Sequence, residues 1–329
     1  MRSLDRTTTL LALVLVVAVT VEVLLFRIFA RGGVYFIDDN TPLMIQNGYT
    51  SLVFSGNVLF NYAAPVTLLA MVVAAIPLVA RSSSLSYRAI GVVVMAVAAV
   101  SGLMVLGYSG EALSDTYWAV SGIAVAGISV IALRKVPSKP LRLFVVMTAL
   151  SYLAIYGFKS GQALPGIGGV NLLTIGEWVG LASFLTLGFV LRSTLNRRAL
   201  IVASVVALGA GGMAFGRADS IPLIATWAFG LSLSAPYWLY IAALWIVLAF
   251  SGSAIARGQY LTGVGVLLVF FGHRGLPLTY FNDLAICGLL FVVREVIDVN
   301  APVILGKAYG SSRGRKIGVR AVGLSSLFR

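Results

Sequence analysis

Residues 8–30 read TTLLALVLVVAVTVEVLLFRIFA, an apolar run interrupted by one acid, Glu22, and one cation, Arg27. As a helix, about 20 such residues rise about 30 Å, the thickness of a bilayer's hydrocarbon core. The run is too long for the apolar part of a secretory signal, it carries charge, and no small-residue cleavage site follows. It therefore reads as a retained membrane span.

Similar runs recur near 52–80, 89–108, 117–133, 143–158, 173–191, 199–216, 222–250, 253–272 and 278–299. The expected fold is an all-α polytopic membrane protein of about ten transmembrane helices, with a bundle over 1–299 and a basic tail over 300–329. Composition agrees: of 329 residues, 59% are hydrophobic and 11% charged, and mean hydropathy is +0.98. Soluble domains average about 45–50% apolar and about 25% charged, so an ordinary soluble domain is excluded, and so is a disordered chain.

Net charge is +13, which in a soluble protein would point to nucleic acid. Here alternate loops account for it. If the N-terminus is inside, the inner loops and tail receive 18 of the 24 basic residues, and the outer loops hold only Arg31, Lys159, Arg217 and Arg274. The outer loops also hold Asp38, Asp39, Glu111, Asp115 and Asp219. By the positive-inside rule both termini are expected to be cytoplasmic. The expected location is the cell membrane, multi-pass, with the lipid bilayer as partner and no nucleic acid. The tail, with Arg313–Gly314–Arg315–Lys316 in it, reads as an inner-surface segment attracted to anionic lipid.

A single cysteine, Cys287, excludes a disulfide framework and a cysteine metal site, and a single histidine, His273, excludes a haem held by two histidines. No haem or iron–sulfur centre is expected in this chain. Pro65, Pro77 and Pro236 mark expected kinks in the second and eighth spans. Gly209, Gly211, Gly212 and Gly216 thin the seventh, where close helix packing is the plain reading and a hinge the alternative.

Charges within spans are functional candidates by default. Glu22 is the deepest, and it either carries a proton or holds the bundle together. Glu177 and Asp283 fall near outer helix ends, whereas Arg294 and Asp298, spaced i, i+4 near an inner end, read as a surface ion pair. Asn57 and Asn61 share a helix face, where hydrogen bonding between helices would explain them.

The longest outer loop, 31–51, reads RGGVYFIDDNTPLMIQNGYTS. Its Asp38–Asp39 pair could bind a divalent cation or act as a general base, and a helix cap is the plain alternative. On the same side Lys159, Arg217, His273 and Arg274 lie in short turns with Gly or Pro nearby. Converging, they would bind a phosphate at headgroup level; apart, they would pair with acids or lipid.

This loop resembles the start of the GT-C glycosyltransferases, polytopic enzymes that move a sugar from a polyprenyl-phosphate carrier on the outer face. The resemblance rests on Asp38–Asp39, Gly48, Leu52–Val53–Phe54, Asn61–Tyr62 and Pro65, then Tyr156–Gly157 and Leu164–Pro165, over about residues 30–80 and 150–170. Gly166 follows where the family tends to have Asn-Thr. The resemblance implies Asp38 or Asp39 as the base or as a metal ligand, and Lys159, Arg217, His273 and Arg274 as the donor's phosphate site. The implied cofactor is a divalent cation and the implied partner a polyprenyl-phosphate lipid. Two other readings stand beside it. One is a secondary transporter, which the short loops and kinked helices fit, with Glu22 and Glu177 as ion or proton sites. The other is a hydrophobic subunit of a respiratory or other membrane complex.

Overall fold

The structure is a computed structural model that describes residues 2–24, 63–82, 84–106, 108, 110–156, 172–215, 237–272 and 283–295. Among these residues every regular element is a helix. In chain order they are α1 (Arg2–Leu24), α2 (Ala63–Arg81), α3 (Leu85–Val105), α4 (Glu111–Lys135), α5 (Lys139–Tyr156), α6 (Leu172–Thr194), α7 (Arg197–Phe215), α8 (Tyr237–Ala256), α9 (Tyr260–Gly272) and α10 (283–295). Each overlaps one of the ten apolar runs. Two of them, over Leu85–Met104 and Ala112–Lys135, are long and apolar enough to cross a membrane, and five shorter apolar stretches lie on α1, α2, α6, α8 and α9.

Short polar turns explain the boundaries. Pro137 cannot continue α4, and Ser138 opens α5 by accepting from the Leu141 amide at 3.5 Å. Asn196 opens α7, its Oδ1 accepting from the Arg198 amide at 2.9 Å and the Ala199 amide at 3.3 Å. Between α8 and α9 the chain reverses at Gly258, whose φ of 80° suits glycine. There the Gln259 amide donates to the Ala254 carbonyl and the Gly258 amide to the Ile255 carbonyl, a Schellman end.

Three arginines tie these turns down. Arg88 Nε donates to the Ser82 carbonyl at 2.6 Å. Arg142 donates to the Val136 carbonyl from Nε and Nη2, at 3.0 and 2.8 Å. Arg257 Nη1 donates to the Thr194 carbonyl, and the Asn196 amide reaches Ser253 Oγ at 2.9 Å, so the α6–α7 and α8–α9 turns lie at one end of the bundle. Half-burial pulls the Arg257 guanidinium below its usual pKa.

Helix α10 lies at the centre. Residues 283–294 are all buried, including Asp283 and Arg294, and a helix apolar on every side needs cover on every side. Against α9 the backbones nearly touch. A Cβ on Gly265 would lie 2.5 Å from the Gly288 carbonyl, and one on Gly288 would run into the Gly265 carbonyl. Arg294 reaches the other way, donating to the Ala74 carbonyl of α2 at 2.8 Å and to Thr8 Oγ1 of α1 at 3.5 Å. The expected surface ion pair is therefore corrected at Arg294, which is buried and crosses to two neighbouring helices; Asp298 lies outside the described residues.

Glu295 completes this end. Its carboxylate accepts from the Leu261 amide at 3.3 Å and the Thr262 amide at 2.6 Å, the first free donors of α9. An N-cap lost to alanine typically costs about 0.5–2 kcal/mol. Glu295→Ala is expected to lower the melting temperature by that equivalent, and Glu295→Gln, which keeps one acceptor, by less. Equal melting temperatures for Ala and wild type in a detergent melt would refute the cap.

The proline expectation also needs correcting. Pro65 sits in the first turn of α2, where no helical donor is lost, so within this helix only Pro77 interrupts the interior. Pro236 lies just before α8, outside the described residues. Among the described residues nothing lies within 4 Å of a Cβ placed on Gly209 of α7.

Candidate functional site

Asp283 opens the described part of α10 and is 2% exposed. Ser101 of α3 donates its hydroxyl to Asp283 Oδ2, and Tyr117 of α4 donates to Oδ1 at 2.9 Å. Ser101 comes in the last turn or so of α3 and Tyr117 in the second turn of α4. The site therefore lies near the end of the bundle opposite the arginine-tied turns. Both partners are fully buried. Trp118 packs edge-on against the Tyr117 ring, with centroids 5.2 Å apart. Cys287, one turn along α10, is buried and free.

Among the described residues no cation meets this carboxylate. Its partners are neutral hydroxyls, and that choice matters chemically. A hydroxyl donates to a carboxylate and, rotated, accepts from a carboxylic acid. An arginine or lysine in the same place would hold the acid ionised. Two hydroxyls serve either protonation state without moving the backbone.

A second polar layer joins α5 to α6, which pack closely on each other. Thr148 Oγ1 donates to Ser183 Oγ at 3.1 Å, and Ser151 Oγ donates to the Gly176 carbonyl at 2.5 Å. These are ordinary bonds between helices. Tyr152 of α5 is also buried.

Charge is divided between the ends. Arg6, Arg88, Arg134, Lys135, Lys139, Arg192, Arg197 and Arg198 are exposed and cluster at helix ends joined by the short turns. Asp115, exposed in the first turns of α4, lies at the other end with Asp283.

The candidates named from the sequence fall mostly elsewhere. Asp38, Asp39, Asn57, Asn61, Lys159, Arg217, His273 and Arg274 lie outside the described residues. Glu22 stands near the end of α1 and Glu177 in the second turn of α6, placed by their backbones. Among the described residues no group of three or more His, Cys, Asp or Glu side chains converges as a metal site would require. Sequence reasoning had Asp283 as an acid near a helix end, but it missed Ser101 and Tyr117. Hydroxyl residues in apolar helices are common, and nothing in their spacing marks these two.

Comparison with protein-family models, with curated proteins and with solved structures returns no match. The chemistry must be read from the residues.

Proposed function

We propose that the chain is a multi-pass protein of the cell membrane, crossing it about ten times with both termini cytoplasmic, and that it works as a proton-coupled carrier of a small solute. The membrane assignment is supported by a belt of exposed large apolar side chains. Leu10 and Val17 of α1, Val92 of α3, Ile123 of α4, Leu150 of α5, Phe189 of α6 and Leu208 of α7 are each more than half exposed. A water-facing surface does not carry so much apolar area. The basic end, facing the cytoplasm, agrees with the positive-inside rule.

The single observation that carries the transport reading is Asp283. A carboxylate buried on the central helix, met by hydroxyls rather than a cation, is the arrangement expected of a site that gains and loses a proton. The test is uptake into proteoliposomes under an imposed pH gradient, run over a panel of neutral sugars, amino acids and organic anions. Uptake of at least one class that depends on the gradient and on Asp283 is the expected result. A panel without gradient-driven uptake would end this reading.

A second reading is favoured by a different observation, the Asp38–Asp39 motif run that resembles GT-C glycosyltransferases. In it Asp38 or Asp39 deprotonates the acceptor hydroxyl, directly or through a bound divalent cation, and general-base help of this kind is typically worth 10²–10⁴-fold. Lys159, Arg217, His273 and Arg274 neutralise the departing polyprenyl phosphate. Release of polyprenyl phosphate from a polyprenyl-phosphate sugar, lost in the Asp38→Asn, Asp39→Asn double variant, would establish it. Unchanged release in that variant would dismiss it.

A further inference from the structure

The arginines of the basic end divide into two groups. Arg88, Arg142 and Arg257 are spent on carbonyls of the turns. Arg192, Arg197 and Arg198, around the two-residue α6–α7 turn, are exposed, and their guanidiniums have no partner among the described residues. The free amides of α7 are met by Asn196, and a guanidinium, which only donates, could not serve them.

Exposed apolar side chains lie beside these cations, one on α6 and a stripe along α7. On α6, Phe189 is 76% exposed and one turn from Arg192. On α7, Ile201, Val205 and Leu208 follow Arg197 at helical spacing, and Val202 and Val206 follow Arg198, all of them exposed. From residue 197 to residue 208 a helix rises about 16 Å, close to half of the roughly 30 Å hydrocarbon core and so the depth of one leaflet. Although only two residues join them, α6 and α7 do not pair closely; each packs on α8 instead. The α7 stripe and Phe189 of α6 therefore flank a shared cationic head without packing on each other.

We propose that this turn is a binding site for an anionic phospholipid. The phosphodiester sits among Arg192, Arg197 and Arg198, and the acyl chains lie along Phe189 and the Ile201–Val205–Leu208 stripe. The proposal rests on the membrane reading above. Charge complementarity selects an anion, and an apolar stripe one leaflet long selects a lipid anion over a free one, which would use the cationic head alone. The α4–α5 turn provides the contrast. It has Arg134, Lys135 and Lys139 exposed, with exposed Val130 and Leu133 on α4 and Leu143 and Leu150 on α5, but there the two helices pack on each other, whereas α6 and α7 do not.

The experiment uses the full chain in neutral detergent, delipidated and titrated with phosphatidylglycerol or phosphatidylcholine, with bound lipid counted by native mass spectrometry. Wild type is expected to retain phosphatidylglycerol over phosphatidylcholine. The triple change Arg192→Gln, Arg197→Gln, Arg198→Gln is expected to lose about a hundredfold in affinity, from roughly 1 kcal/mol per basic residue. The matched change Arg134→Gln, Lys135→Gln, Lys139→Gln is expected to lose little. Equal losses in the two triples would reduce the site to diffuse attraction and overturn it. So would retention of phosphatidylcholine as strongly as phosphatidylglycerol, or full displacement by inorganic phosphate. Melting temperature without lipid guards against misfolding, and replacing the three arginines by lysine should restore binding if charge is what counts. Resistance of the chain to carbonate extraction from membranes reads the membrane assignment separately, so either idea can fail alone.

Discussion

Asp283→Asn is expected to bring gradient-driven uptake to background while the protein stays folded. Asparagine has nearly the same shape, its Oδ1 still accepts one hydroxyl, and its amide donates to the other once that hydroxyl rotates. The hydrogen bonds from Ser101 and Tyr117 are kept in number, so the melting temperature should move little. What is lost is the group that can release a proton. Asp283→Leu should behave differently, because it removes the acceptor of two buried hydroxyls. Each unsatisfied group costs about 1–3 kcal/mol, so this variant should lose stability as well as uptake. The pair separates carriage of a proton from scaffolding. If Asp283→Asn transports like wild type, the carboxylate is a structural acceptor and the carrier reading is wrong.

Gly288→Val is expected to be the most damaging single change to the fold. A Cβ at this position meets the Gly265 carbonyl, and it also lies 2.9 Å from both the Val269 amide nitrogen and Val269 Cγ2. Two of those atoms are backbone and cannot rotate aside. Overpacking that side chains can absorb costs about 1–3 kcal/mol, and here α9 and α10 would have to part along their length. The expected outcome in detergent is an aggregated or sharply less stable protein by size exclusion and thermal melting. Gly209→Ala is the opposite case. Among the described residues nothing lies within 4 Å of its Cβ position, and removing a glycine from a helix interior gains roughly 1 kcal/mol. It should melt at or above the wild-type temperature. A monodisperse Gly288→Val protein with an unchanged melting temperature would disprove the close approach.

The helices were legible because long apolar runs leave little choice. From 89–108 to α3, or from 143–158 to α5, the ends moved by only a few residues. Where reading from residue type erred, three-dimensional neighbours decided the matter. Arg294 is i, i+4 from Asp298, which on an isolated helix means a surface pair; the structure instead turns it towards Thr8 and Ala74, far off in sequence. Pro65 reads as a kink until the start of α2 is known two residues before it. The buried site was half legible. Asp283 announces itself as an acid beside an apolar run, but Ser101 is 182 residues away and Tyr117 is 166. Periodicity carries no information at that range. The sequence's own candidates, Asp38–Asp39 and the cations of the outer turns, were found by the opposite route, as charges where the chain is otherwise apolar.

The position of α10 has a consequence for how this protein is made. Among the described helices α10, buried along its length, is synthesised last. Until it leaves the ribosome, Ser101 and Tyr117 wait without their acceptor, the Ala74 carbonyl without its guanidinium, and the first amides of α9 without Glu295. Each of these contacts has its α10 half still untranslated. Assembly therefore cannot finish helix by helix in chain order. The core between α1, α2, α3, α4 and α9 closes only when α10 has packed into it.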